Sequence, residues 1–139
     1  MKFMIMHKMT AELEKGLPPD AQTLSRIQKL IGDAVEKKIF VSGEGLGPTA
    51  QRMHVVYKKG KRKVTQGPFK DARELVGGFG LLTVRSKDEA LSWLDKFGAV
   101  LGDVELFVGP VVEPWDLGMG PKPAEAPLRF LSLHRAEDD

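Results

Sequence analysis

Cysteine is absent from the 139 residues. That excludes a disulfide framework, a thiolate nucleophile and a thiolate metal site. No apolar run reaches the length of a membrane span. The opening stretch, Met1 to Met9, meets His7 and Lys8 too soon to serve as a signal peptide. A surplus of one charge is also missing: 21 lysines and arginines stand against 19 aspartates and glutamates. The net charge of +2 is too small to imply a nucleic-acid partner by itself, and none is expected. What is present is ordinary. Apolar residues make up 42% of the chain, enough for one core, and the length leaves no room for two. The expectation is a cytoplasmic protein with no membrane attachment.

Lys2 to Lys8 alternates as a strand, with Phe3, Ile5 and His7 on one face and Met4 and Met6 on the other. Apolar residues on both faces predict an interior strand covered on both sides. Pro18-Pro19-Asp20 opens a helix whose stripe is Leu24, Ile27, Ile31, Ala34 and Val35. Ile39 to Leu46 reads as a strand ending among Gly43, Gly45 and Gly47, with Glu44 on the face of Phe40 and Ser42. Gln51 to Lys58 and Lys61 to Thr65 form a hairpin about Lys59-Gly60. Val76 to Val84 is a strand whose Gly77, Gly78 and Gly80 remove side chains where something approaches the backbone closely. Ser86 and Glu89 spell a capping box before a stripe of Ala90, Trp93, Leu94 and Phe97, with Gly98 as the stop. Val104 to Val112 is the last regular strand. The order is that of an α+β, ferredoxin-like βαββαβ domain over residues 1–113, with the basic hairpin as an insertion. Prolines and glycines then mark a C-terminal arm, 114–139, holding Trp115, Phe130 and a strand candidate, Leu128 to Leu133. Its aromatic residues predict docking on the domain or on a partner subunit.

No phosphate-binding glycine loop, zinc-protease helix or nucleophile elbow occurs. His7, His54 and His134 fall on separate elements, so their spacing supports no metal site. No cofactor is expected. His7, late in the first strand, suits a general acid or base, or else a histidine hydrogen-bonded to a loop carbonyl. Glu44, among apolar neighbours, is expected to be partly desolvated and suited to proton transfer, or else paired with a cation of the 66–74 segment. The run Lys58, Lys59, Lys61, Arg62 and Lys63 interleaves only Tyr57. It reads as a charged edge that discourages strand-to-strand aggregation rather than a nucleic-acid surface.

The string Gln66-Gly-Pro-Phe-Lys-Asp-Ala-Arg-Glu-Leu-Val-Gly-Gly-Phe79 resembles the DGPF signature of the YCII-related proteins. Gly67, Pro68, Phe69, Glu74, Gly77, Gly78 and Phe79 match it outright, and Asp71 and Arg73 match it in charge. Gln66 stands where the signature has aspartate. The resemblance implies a homodimer whose sheets pack face to face as a dimeric α/β barrel. The family's biochemistry is mostly unassigned; it includes a dehydrochlorinase with a His-Asp pair, and a branch found beside extracytoplasmic-function sigma factors.

Two readings follow. One is a dimeric small-molecule-binding or regulatory module that takes a small anionic ligand through Gln66, Phe69, Arg73, His54 and Trp115. Arginine suits such a ligand because its fork pairs a carboxylate in two places. The other is a lyase- or hydrolase-type enzyme acting on a small anionic substrate held by Arg73, with its acid-base pair drawn from His7, Glu44 and Asp71. The first helix holds no histidine, so His7 or His54 would have to meet Glu44 or Asp71. The binding module is the slightly favoured reading.

Overall fold

A computed structural model describes residues 1–122. The strand candidate at Leu128 to Leu133, with Phe130 and His134, lies outside them.

The first strand, β1 (Lys2–Lys8), is a central strand of the main sheet. It is followed by a single helical turn, α1 (Ala11–Glu14), and by the long helix α2 (Ala21–Glu36). Asp20 caps α2 by accepting the Thr23 N–H at 2.8 Å, and that bond holds its carboxyl below the ordinary aspartate range. Strand β2 (Phe40–Gly45) leads through a 3-10 turn at Thr49–Gln51 into the hairpin β3 (Met53–Lys58) and β4 (Lys61–Gln66). Lys59 and Gly60 close that hairpin with φ of 51° and 76°, the pair of left-handed residues a two-residue turn requires. A second 3-10 turn, Ala72–Glu74, precedes β5 (Val76–Thr83). Helix α3 (Lys87–Leu101), β6 (Leu106–Pro110) and a last 3-10 turn, Pro114–Leu117, complete the described chain.

The main sheet has the order β2-β5-β1-β6, and each neighbouring pair is antiparallel. Helices α2 and α3 carry the chain between strands and cover one face. Leu30 and Ala34 of α2 meet Ala90, Trp93 and Leu94 of α3 over Phe3, Ile5 and Leu82. The molecule is thus mixed α+β. The hairpin forms a separate two-stranded sheet, and its register divides it cleanly. Met53, Val55, Tyr57 and Val64 share one face, while His54, Val56, Lys58, Lys61 and Lys63 share the other.

Four expectations need correction. The buried stripe of α2 runs through Leu30 and Ala34, flanked by Ile27 and Ile31, and leaves Leu24 and Val35 exposed at its margins. Gly98 lies inside α3, which runs on until Gly102 adopts φ 77° and ends it, with the Gly102 N–H donating to the Gly98 carbonyl. Ser86 does cap α3, accepting the Glu89 N–H at 3.1 Å, but the Glu89 carboxylate turns to Arg85 at 2.9 Å instead of reaching back. Finally, a bulge between Phe40 and Ser42 changes the alternation of β2. It puts Phe40 and Gly43 on the helix-covered face and leaves Ser42 and Glu44 on the opposite one.

Candidate functional site

Strand register assigns every candidate on the main sheet to a face. On the helix-covered side the last two rows read Gly43–Gly80–Ile5–Val108 and Gly45–Gly78–His7–Leu106. Four of these eight positions are glycine. The helix-facing surface of β2 and β5 therefore has no side chains over two rows. Leu82 and Ile5 are buried beneath α2 and α3; beyond them the Phe40 ring lies against Gly43 and the His7 ring against Gly78, and the space above Gly45 and Gly80 stays open.

A cavity of about 310 Å3 results, lined by Ile27, Ile31, Leu94, Phe97, Leu101 and Leu106 along its apolar walls and by the glycine backbone on its floor. Among the described residues His7 is its one imidazole. The ring lies over Gly77 and Gly78, and a Cβ on Gly78 would collide with His7 Nε2. The close approach anticipated at these glycines is thus made by the His7 imidazole. Nδ1 donates to the Lys8 carbonyl at 3.2 Å, which leaves Nε2 as the acceptor nitrogen. Gly45 and Gly80 are different: a Cβ on either would meet nothing within 4 Å.

Glu44 touches the cavity, but its register partner is Phe79, on the face opposite His7. The residue is exposed, without the desolvation anticipated for it, and among the described residues it forms no ion pair. His7 and Glu44 therefore do not form a facing acid-base pair. That opposite face carries Glu44, Phe79, Met6 and Phe107 in one row and Ser42, Leu81, Met4 and Gly109 in the next. Phe107 is 50% exposed. Lys8 sits 5.4 Å above its ring and reaches Glu74 and Glu105, each at 3.4 Å. Partial burial pulls the Lys8 ammonium down, but the two carboxylates outweigh it and hold the group above the ordinary lysine value.

The remaining candidates gather around the loop after β4. His54, Phe69, Lys70 and Asp71 line a second cleft of about 500 Å3. The Phe69 ring meets His54 edge-on, with centroids 6.3 Å apart and planes at 87°. Arg52 also lines this cleft, yet its guanidinium is committed to the Gly47 carbonyl at 3.0 Å and the Val76 carbonyl at 2.8 Å. Arg73 faces a neighbouring cleft with Thr10, Glu14 and Asp71. Trp115 lies elsewhere. It follows Glu113, which pairs with Lys2 at 3.5 Å, at the end of β1 opposite His7.

Gln66 has a definite task. Its side-chain amide donates to the carbonyls of Ala50 at 3.0 Å and Arg52 at 3.2 Å, tying the signature loop to the 49–51 turn. An aspartate offers only acceptors and would face two carbonyls. Gln66→Asp is therefore expected to lower stability by about 1 kcal/mol, the net worth of such bonds. An unchanged or higher melting temperature would refute the clamp.

Sequence reasoning missed Thr49, the one fully buried polar residue among the described residues. Its hydroxyl accepts the Phe69 N–H at 3.1 Å and donates to Glu14 at 2.8 Å, and its own N–H donates to the same carboxylate. A threonine after Gly-Pro reads as a surface loop, and only its distant partners make it an anchor. Among the described residues no cluster of His, Asp and Glu could hold a metal ion, and no helix is long and apolar enough to cross a membrane.

The sequence model of the YCII-related domain matches residues 1–105. No curated protein matches the chain.

Proposed function

The chain belongs to the YCII-related domain family, and from that premise we propose that it is a homodimeric small-molecule-binding protein whose ligand occupies the cavity between the sheet and its two helices. One observation carries this reading. The glycines of both motif strings, Gly43 and Gly45 from one and Gly78 with Gly80 from the other, pair with each other and open the space. An apolar pocket with one oriented polar group is the usual form of a small-ligand site. The strand order, with two helices on one face, supports the ferredoxin-like arrangement with residues 53–66 inserted. The half-exposed row of Phe79, Met6 and Phe107 supports closure of that sheet against a twin as a dimeric barrel. The domain would end near residue 113, with the arm beginning at 114.

Gly80→Val tests the ligand's location. A Cβ at Gly80 enters open space, so the valine side chain fills the cavity without displacing backbone. The expected result is an equal or higher melting temperature with at least tenfold weaker binding of naphthalene, used as an apolar probe. Undiminished binding would place the ligand elsewhere.

A second reading has its own support. His54 and Asp71 share the signature-loop cleft, where Lys70 is also exposed. The cleft suits a small anionic ligand, and with that pair it suits acid-base chemistry of the lyase or hydrolase kind.

A further inference from the structure

We propose that the cavity is built for a neutral, flat apolar molecule carrying one hydroxyl, such as a phenol or an enol, and that His7 Nε2 accepts the hydrogen bond from that hydroxyl. The inference rests on the cavity being the ligand site and adds the ligand's chemistry and orientation. Among the described residues no lysine or arginine lines the cavity. An anion entering it would lose its hydration without gaining a counter-charge, at a cost that a neutral molecule avoids.

The polar requirement is equally specific. Nδ1 of His7 is held by the Lys8 carbonyl, so the neutral ring presents a lone pair at Nε2. Among the described residues that nitrogen has no hydrogen-bond partner. A ligand must therefore bring a donor. The shape follows from what surrounds the imidazole. Glycine backbone and the Phe40 ring, which lies against Gly43, form the floor, while Ile27, Ile31 and Phe97 form the opposite wall, leaving a slot between a sheet and two helices. A flat ring system fits such a slot, with its apolar end toward Leu82 and Leu94 and its hydroxyl at the His7 end of the strands.

Calorimetric titration of the full chain with naphthalene, 2-naphthol and 2-naphthoate tests this. The expected order is 2-naphthol tightest, about tenfold tighter than naphthalene, as one neutral hydrogen bond provides, with 2-naphthoate weakest. His7→Phe keeps a ring over Gly78 and removes the acceptor, so it should reduce the 2-naphthol advantage to about onefold while naphthalene binds as before. Equal binding of naphthol and naphthalene by the wild type, or tighter binding of naphthoate, overturns the proposed ligand chemistry but not the cavity. Failure of all three to bind, or binding that Gly80→Val leaves intact, overturns the site itself.

Discussion

Replacing Gly67 with alanine is expected to destabilise the protein by about 3 kcal/mol, at the upper end of what overpacking costs. A Cβ at this position would overlap the Thr49 carbonyl oxygen and stand 2.7 Å from its carbonyl carbon. The obstacle is backbone, so no side chain can swing away. Nor can Thr49 retreat. It is fully buried, and both its N–H and its hydroxyl are bound to Glu14. The loop is held on its own side as well, since the Gly67 N–H donates to the Arg52 carbonyl at 2.9 Å. Relief would break the bonds that Gln66 and Phe69 make to the same turn. Gly98→Ala is the natural control: it lies inside α3 with nothing within 4 Å of an added Cβ, and should stabilise by about 0.5–1 kcal/mol through helix propensity. Urea unfolding of both variants decides the matter. A loss below about 1 kcal/mol for Gly67→Ala would show that the signature loop can shift freely.

The second large effect concerns association. The native chain is expected to sediment as a dimer at micromolar concentration, and Met6→Glu to sediment as a monomer. Met6 lies between Phe79 and Phe107 in the middle of the sheet face that α2 and α3 leave uncovered. A carboxylate there would be buried without a partner when two such faces meet, a penalty of several kcal/mol. That is at least a hundredfold in the dimer dissociation constant. The protomer should survive the change because Met6 is only half-buried in it. A native chain that sediments as a monomer, or a Met6→Glu dimer as tight as the native one, would remove the face-to-face pairing from the account.

Much of the architecture was legible from sequence because it depends on local rules. The alternation of Phe3, Ile5 and His7, the helix start at Pro18-Pro19-Asp20 and the Lys59-Gly60 turn each act within a few residues. Two failures were local, Glu89 turning to Arg85 and α3 running past Gly98 to Gly102, and two came where a local rule meets a distant partner. The buried stripe of α2 is Leu30 and Ala34, the residues that share one core with Ala90, Trp93 and Leu94 of α3. A bulge at Phe40/Ser42 moved Glu44 to the face opposite His7, since one extra residue reverses the side of every position after it. The candidate residues were therefore real neighbours in smaller groups than expected: His54 with Phe69 and Asp71, and His7 with the glycines.

By itself the chain determined its family, its alternation of strands and helices, and the presence of two glycine-rich strings, because composition and periodicity are properties of neighbouring residues. Only the tertiary structure decided that those strings lie side by side. Pairing register is a long-range property, and it set two glycine-bearing strand segments, Gly43 to Gly45 and Gly78 to Gly80, side by side as the cavity floor beside His7.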